Sequence, residues 1–508
     1  MSQKKSKKKI NISKKETTKE VENIKKTDER KKEEKKKNIP IIGIILSIIV
    51  LFITILLLIN ILKLNIIPTK YLLLFIVLEI FLIGIIILLL TRKKKLLWIL
   101  GIFIFTIISI FNLFLNSYIE TTNIVINKLF TDEIKVTTDY LIITNINNPI
   151  NQLEEVGKDQ TIYFDKYIKN KNEVLKEMNN YSLIDTDTIS NTLDFIKNNP
   201  VNYLLLTKAD YSYIMNSSIL FSPNNYKIIK EFSITIKEKR NKEVKKTFNI
   251  YLNGVDFTGV MRDFNMIITV NTETKKVLLT PILRGFYIDV PSYNIKDTLM
   301  CLGAFDSEVS KEAIEKLLDT TIDYTVSVNT NSLVSIVDSL GGIEFCSDYT
   351  FTTTHALVED TYNDNGKEKL TVNTGCRNYN GIEILAIARE RVRLKNNERG
   401  RIENCKKIML EIAKKMVSTT SLLNHKEVLT TYSSLYTTDM NKELVQILFK
   451  SVLEDYNSYK IEEQHLDGID TVAIGHLGTQ EVGATIPDEN QVNEARRRIK
   501  EILKKDSK

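Results

Sequence analysis

The sequence predicts three transmembrane α-helices followed by an extracellular α/β region whose main sheet is mixed and covered by helices on both faces. Three observations carry this. Apolar runs of about 20 residues, the length that crosses a bilayer as a helix, occur three times before residue 117. Lys and Arg gather on one side of those runs. Beyond them, short apolar strand-like pieces alternate with helix-like ones.

The first 38 residues hold 15 Lys and one Arg against seven acidic residues, a charge of +9. Such a Lys/Glu segment cannot bury a core and is expected to be a disordered cytoplasmic tail. It is a topology signal and solubiliser, or a contact for anionic lipid heads. The segment 39–116 contains the runs Ile39 to Leu62, Tyr71 to Leu90 and Leu96 to Leu115. The first is too long for a signal-peptide core, and no small-residue cleavage site follows it. The tail precedes the first run and "RKKK" at 92–95 lies between the second and third, so both belong in the cytoplasm. Three crossings then put everything after Asn116 outside the cell. Glu79 interrupts the second run; it is either functional, or a helix contact or protonated side chain.

Residues 117–246 read as a small α/β accessory domain, with "YLIITNI" and "VNYLLLT" as buried strands and "NEVLKEMNNY" and "DTISNTLDFIKNN" as helices. From residue 247 to 508 the pattern is denser. "FNIYLNGVD" is a strand, "FNMIITVNTETKKVLLTPI" a hairpin and "KEAIEKLLDT" a helix. "DYTVSVN" is a strand, and "TNSLVSIVDSLGG" a helix closed by its glycines. "IEFCSD" is a strand and "NGIEILAIA" a helix. "ENCKKIMLEIAKKMV", "KELVQILFKSVLEDY" and "QVNEARRRIKEILKK" are helices. Four cysteines, Cys301, Cys346, Cys376 and Cys405, lie in this part. Their spacings do not suit zinc. Outside the cell they are compatible with two disulfides, in any of three pairings, or with four buried free thiols.

The whole chain has a formal charge of +7, yet residues 39–116 add +5 to the tail's +9, which leaves −7 for residues 117–508. An acidic outer portion argues against nucleic acid as a partner. Its arginines are therefore local. "ARERVRLKNNERGR" at 388–401 holds five, with Arg389, Arg391 and Arg393 at spacing two; extended, that piece puts them on one face. Arg399 and Glu403, four apart, share a face of the next helix. Arg284 ends an apolar strand, and Asp256 and Asp263 lie in "GVDFTGVMRDFN". Guanidiniums are rigid bidentate donors to phosphate oxygens, and paired carboxylates supply oxygen ligands for Mg²⁺. The set suits a pyrophosphate. Taken singly, each piece is more readily read as a surface ion pair; it is the three together that suggest a site.

"RDFNMIITVNTETKKVLLTPILRGFYIDVP", "DYTVSVNTNSLVSIVDSLGGIEF" and "NGIEILAIARERVRLKNNERGR" together resemble the LytR–CpsA–Psr (LCP) family. The three N-terminal runs and the accessory domain resemble its capsule-type CpsA members. The resemblance implies an LCP catalytic domain over 247–508. It implies transfer of a glycopolymer from a polyprenyl-pyrophosphate carrier in the membrane lipid onto cell-wall peptidoglycan, through a phosphodiester, in a Gram-positive type of envelope. Carried over residue by residue, Asp256 and Asp263 correspond to the Mg²⁺ ligands. Arg284, Arg389 and Arg391 correspond to the catalytic arginines, and Arg399 to a later pyrophosphate-binding one. Glu403 stands where the family commonly has Gln four residues on. Gly285 replaces an Asp and Thr298 a Lys, beside a matched Asp297. These departures leave a second expectation open: a non-catalytic protein that binds polyprenyl lipid and regulates polymer export. The topology and the acidic outer charge argue against a transcription regulator.

Overall fold

The computed structural model describes residues 41–504 apart from 93, 131–132, 188, 200, 218–221, 240–242, 257–260, 306, 359–366, 417–435, 455–457 and 476–480. The Lys-rich tail lies outside the described residues. The chain divides into two compact units, residues 1–124 and 125–508.

The first unit is built from α1 (Ile41–Leu64), α2 (Thr69–Leu90) and α3 (Lys95–Leu129), each long and apolar enough to cross a membrane. The third helix runs about four turns past the predicted end at Leu115, because no Pro or Gly interrupts it there. Large apolar side chains such as Leu74, Ile80 and Phe103 face outward. That is the inverse of a soluble bundle and suits a lipid surround. A Cβ on Gly43 would sit 2.2 Å from the Leu90 carbonyl oxygen, so glycine permits the close approach of α1 to the end of α2.

The second unit begins with a five-stranded sheet of β1 (Glu133–Asn145), β2 (Thr161–Asp165), β3 (Ser182–Thr186), β4 (Tyr203–Thr207) and β5 (Tyr226–Lys239), in the order β3-β2-β4-β1-β5. The three short strands are parallel, joined through α4 (Lys171–Glu177) and α5 (Ile189–Asn198). Every residue of β4 is buried, as its unbroken "YLLLT" requires of a central strand covered on both faces. α6 (Lys208–Ser217) leads back toward β5.

The main sheet comprises β6 (Thr247–Val255), β7 (Arg262–Asn271) and β8 (Lys276–Ile282). It is completed by β11 (Tyr324–Asn329), β16 (Tyr436–Thr438) and β17 (Lys460–Glu463), in the order β16-β11-β6-β7-β8-β17. It is mixed: β11 is parallel to β6 and β17 to β8, while β6, β7 and β8 form an antiparallel meander. One face carries Tyr251, Ile267 and Leu278 onto α7 (Ser307–Leu318) and a C-terminal helix, α12 (Glu489–Leu503). The other carries Phe248 and Tyr324 onto Leu444 of α11 (Lys442–Glu454). On that second face Leu252, Phe264, Val326 and Val328 remain only half-buried among the described residues.

Between β8 and β11 the chain forms the small hairpin β9 (Tyr287–Val290) and β10 (Ile295–Thr298), then a 3-10 segment, Leu299–Ala304. A second core gathers α8 (Thr330–Ser339), α9 (Gly381–Arg389) and α10 (Asn397–Met416). Around them lie the pairs β12 (Ile343–Ser347) with β15 (Gly375–Tyr379) and β13 (Phe351–Ala356) with β14 (Lys369–Val372). Gly341 and Gly342 take φ of 73° and 82° past α8, the left-handed exit read from "SLGG". The hairpin β18 (Gly468–Ile474) and β19 (Glu481–Pro487) closes the edge beside residue 285.

Candidate active site

β6 and β7 pair in register until Gly254 opposite Phe264; the next pair is Val255 opposite Arg262, so Asp263 is the extra residue of a β-bulge. A bulge re-aims a side chain at a strand end. Asp256 follows Val255 directly, and its Oδ1 accepts from the Met261 amide at 3.0 Å. The two carboxylates therefore leave the same end of one strand pair. Arg284 arrives there from the turn after β8, whose backbone is held by Met300 N–H on the Arg284 carbonyl (2.8 Å) and Thr485 N–H on the Gly285 carbonyl (2.6 Å).

Arg284 Nη1 donates to Asp263 Oδ1. Arg401, 5% exposed, donates through Nη2 to the Asp263 main-chain carbonyl at 2.5 Å and through Nε to Glu398 at 3.0 Å. Glu398 also lies 3.7 Å from Arg284 Nε, so one carboxylate in the first turn of α10 braces two guanidiniums. Burial opposes the charge on Asp263, but Arg284, Arg401 and Arg391 hold its carboxyl below the usual range. Arg391 is different. Its carbonyl accepts from the Leu394 amide, but its guanidinium makes no hydrogen bond or ion pair with any described residue. Burial and the neighbouring charges of Arg284 and Arg401 push its pKa down, against Glu398 and Asp263. Positive charge crowded beside a guanidinium with no partner of its own is an arrangement completed by an anion.

The stretch 390–396 is a turn, not the extended piece expected. Asn380 and Glu383 make a capping box that starts α9, and α9 ends at Arg389. Glu390, 1% exposed, then accepts from the amides of Thr354 and Arg393, which folds the chain back. Leu394 is buried, whereas Val392 stands 58% exposed. The three arginines at spacing two consequently diverge: Arg389 Nη1 donates to the Val358 carbonyl at 2.8 Å, while Arg391 turns to the cluster.

Arg399 does not join it. Its Nε donates to both oxygens of Asp467 at 2.8 Å, and Nη1 and Nη2 reach Asp470 at 3.2 Å. Those hydrogen bonds raise its pKa and lower both carboxyls. Glu403 likewise faces elsewhere, accepting from Lys406 Nζ at 2.6 Å and lying 3.6 Å from His465 Nδ1. The inward arginine is Arg401, two residues later, and the position four beyond it is Cys405. Cys405 Sγ contacts the Ala388 carbonyl at 3.4 Å, and burial pushes its thiol up to about 11. Sequence reasoning missed Arg401 and Glu398. A signal was present: "ERGR" puts Glu398 and Arg401 three apart, on one helix face.

Of the four cysteines, Cys346 and Cys376 form a disulfide across the β12–β15 register, and Cys301 and Cys405 are free. The outcome lies between the two expectations. Among the described residues the one group of three metal-type ligands is Glu344 with this disulfide pair, whose oxidised sulfurs are no thiolate ligands. Asp256 and Asp263 offer two hard oxygen donors at one strand end. That fits Mg²⁺, which is commonly held by one or two carboxylates with phosphate oxygens and water completing the shell.

A model of the LytR_cpsA_psr family matches residues 217–501, a little over half of the chain. A polyisoprenyl-teichoic acid–peptidoglycan teichoic acid transferase, TagU, of Enterococcus faecalis is 28% identical over 241 residues, covering 46% of this chain and 74% of that protein. The Bacillus subtilis protein of the same name is 26% identical over 286 residues, covering 54% and 85%. The crystal structure of B. subtilis TagV superposes with a TM-score of 0.43 at 19% identity, over 51% of this chain and 98% of that one.

Proposed function

The chain belongs to the LytR_cpsA_psr family, and from that membership we propose that it is a membrane-anchored transferase moving a glycopolymer from a polyprenyl-pyrophosphate carrier onto peptidoglycan. The observation that carries the reading is the unpaired Arg391 guanidinium beside Arg284, Arg401 and Asp263.

The pyrophosphate is assigned to Arg391 and Arg284, with Arg401 holding Asp263 and Glu398 in place behind them, while Arg389 stays on the Val358 carbonyl. Asp256 and Asp263 would hold Mg²⁺, which would add positive charge beside the pyrophosphate oxygens. Support for a lipid donor comes from the half-buried apolar face of Leu252, Phe264, Val326 and Val328, which runs to the strand end that bears the two aspartates. In the reaction an acceptor hydroxyl oxygen bonds to the phosphorus carrying the glycopolymer. The bond from that phosphorus to the bridging oxygen breaks, and polyprenyl phosphate leaves with the electron pair. The hydroxyl proton passes to one of the two aspartates at the strand end. Guanidiniums already fixed in place stabilise the charge that builds on the leaving oxygen.

The non-catalytic alternative drew on Gly285, Thr298 and Glu403. Glu403 lies on Lys406 and His465, Gly285 offers its carbonyl to Thr485, and Thr298 donates its amide to Asp297 at 2.6 Å. None of these contacts involves Arg391 or Asp263, so the substitutions do not favour that alternative.

The test is release of polyprenyl phosphate by the full-length protein in lipid, given a lipid-pyrophosphate-linked saccharide and a peptidoglycan fragment. Release and a phosphodiester product are expected with Mg²⁺, and Arg391→Ala should slow both by about 10²–10³. Calorimetric Mg²⁺ binding should weaken in Asp263→Asn, a readout separate from turnover. Donor binding without product, or full activity in both Arg391→Ala and Asp263→Ala, would sink the reading.

A further inference from the structure

Each helix of the membrane-length unit sends one polar side chain to a common interior point: Thr54 from α1, Glu79 from α2 and Asn112 from α3. They are 3%, 3% and 0% exposed. Thr54 Oγ1 donates to Glu79 Oε2 at 3.2 Å, and Asn112 Nδ2 reaches the same oxygen at 3.1 Å and Thr54 Oγ1 at 3.0 Å. The basic residues of 41–116 are Lys63, Lys70, Arg92, Lys93, Lys94 and Lys95, all at helix ends or in the connections between helices. Among the described residues Glu79 is thus met by neutral groups alone. A bare carboxylate in that setting costs several kcal/mol or more.

A second observation is independent of Glu79. Asn112 Oδ1 and Ser109 Oγ, one turn apart on α3, are buried without a hydrogen-bond partner among the described residues. A simple inter-helix clasp matches donors to acceptors. Here they do not match: Thr54 and Asn112 both donate to Glu79 Oε2, and the Asn112 amide oxygen is left over without a donor. A half-turn of the Asn112 amide exchanges its two ends and aims Oδ1, in place of Nδ2, at Glu79 Oε2 and Thr54 Oγ1. Carboxylate, amide and hydroxyl oxygens then surround one point. A hard cation takes that donor set, and a proton on Glu79 would find its acceptor there.

We infer that the interior of the three-helix unit binds one monovalent cation, H⁺ or an alkali ion, at Glu79 with Thr54 and Asn112. One positive charge repairs both faults: it neutralises the carboxylate and gives the left-over amide oxygen a partner. The site is separate from the arginine cluster, and the inference stands whether or not the proposed transfer reaction does.

The experiment is infrared difference spectroscopy of the full-length protein in lipid, scanned over pH with sodium chloride or choline chloride, and Glu79→Gln as the assignment control. A protonated-carboxyl band lost in Glu79→Gln and indifferent to sodium identifies the cation as H⁺. A Glu79 band, carboxyl or carboxylate, altered by sodium but not by choline identifies an alkali ion. In either case Asn112→Leu should shift the band. A Glu79 carboxylate signal unmoved by pH and by sodium overturns the inference. A signal unchanged in Asn112→Leu overturns the ligand set. No outcome depends on transferase activity.

Discussion

Arg391, Arg399 and Arg401 lie within eleven residues of one another, yet their guanidiniums meet different surroundings. Arg399 is spent on Asp467 and Asp470, with side chains 35%, 40% and 67% exposed, so solvent screens the pairs. Arg399→Ala is expected to cost about 1 kcal/mol of stability and to leave turnover near wild type. Arg401→Ala strands Glu398 and the Asp263 carbonyl in a buried setting and should cost about 3–5 kcal/mol. Arg391→Ala removes a side chain that holds nothing in place. Its thermal unfolding should move by no more than about 0.5 kcal/mol while turnover collapses. Thermal midpoints and initial rates on the three variants check this; a stable, inactive Arg399→Ala would reverse the assignment. The same residues set an acid limb. Asp263 is held low by its guanidiniums despite burial, and Asp467 and Asp470 by hydrogen bonds from Arg399. A carboxyl whose pKa falls on folding stabilises fully above its unfolded value, about 3.9, and that contribution is lost as pH falls through the lower folded value. These groups should add no slope between pH 7 and 5 and a decline below about 4. Denaturant titrations at each pH should show a shallower decline in Asp467→Asn.

At the level of elements, the site is made by interruptions of regular structure: a bulge at the end of β7, a turn after β8 and a turn between α9 and α10. Regular strands would point Asp263 and Arg284 along the pleat; the irregular ends turn them toward each other. A longer chain of contacts supports the Arg284 turn. Tyr167, in the loop after β2, packs its ring 4.3 Å from Tyr293 and 5.9 Å from Phe305. Phe305 closes the 3-10 segment whose Leu299 and Met300 amides hold the carbonyls of Phe286 and Arg284. Parallel sheets commonly take ligands at the carboxyl ends of strands where the chain direction reverses, between β2 and β4 here. This sheet places a tyrosine there that reaches the segment after β8. Tyr167→Ala should therefore slow turnover about tenfold and speed amide exchange across 299–305. Tyr167→Phe, which keeps the ring, should do neither. Equal rates in the Ala and Phe variants would remove the link.

For the whole molecule, the distribution of Lys and Arg predicts a cytoplasmic amino terminus and outer domains beyond α3. A periplasmic-type reporter such as alkaline phosphatase should be active when fused after Phe130 and silent when fused after Arg92; the opposite pattern would place the arginine cluster on the wrong side for peptidoglycan. The length of the three apolar runs, the order of strands and helices and the restriction of positive charge to one end were legible from the sequence alone. Each depends on residues close together in the chain, through hydrophobic periodicity and run length. The charged set was read only in part: the sequence named Asp263, Arg284 and Arg391, which the fold brings together, but also Arg399 and Glu403, which face elsewhere, and it passed over Arg401 and Glu398. What the tertiary structure alone decided is convergence. Whether arginines at spacing two share a face depends on a backbone turn that Glu390 enforces through Thr354, 36 residues away. Arg399 is diverted by carboxylates 68 and 71 residues later. The pairing of Cys346 with Cys376 follows from strand register, and that Leu252 and Phe264 are left half-buried is likewise visible only in the folded chain. Side-chain type and spacing nominate such partners, but a guanidinium binds whichever carboxylate folding brings nearest, and that distance is a property of the packed chain.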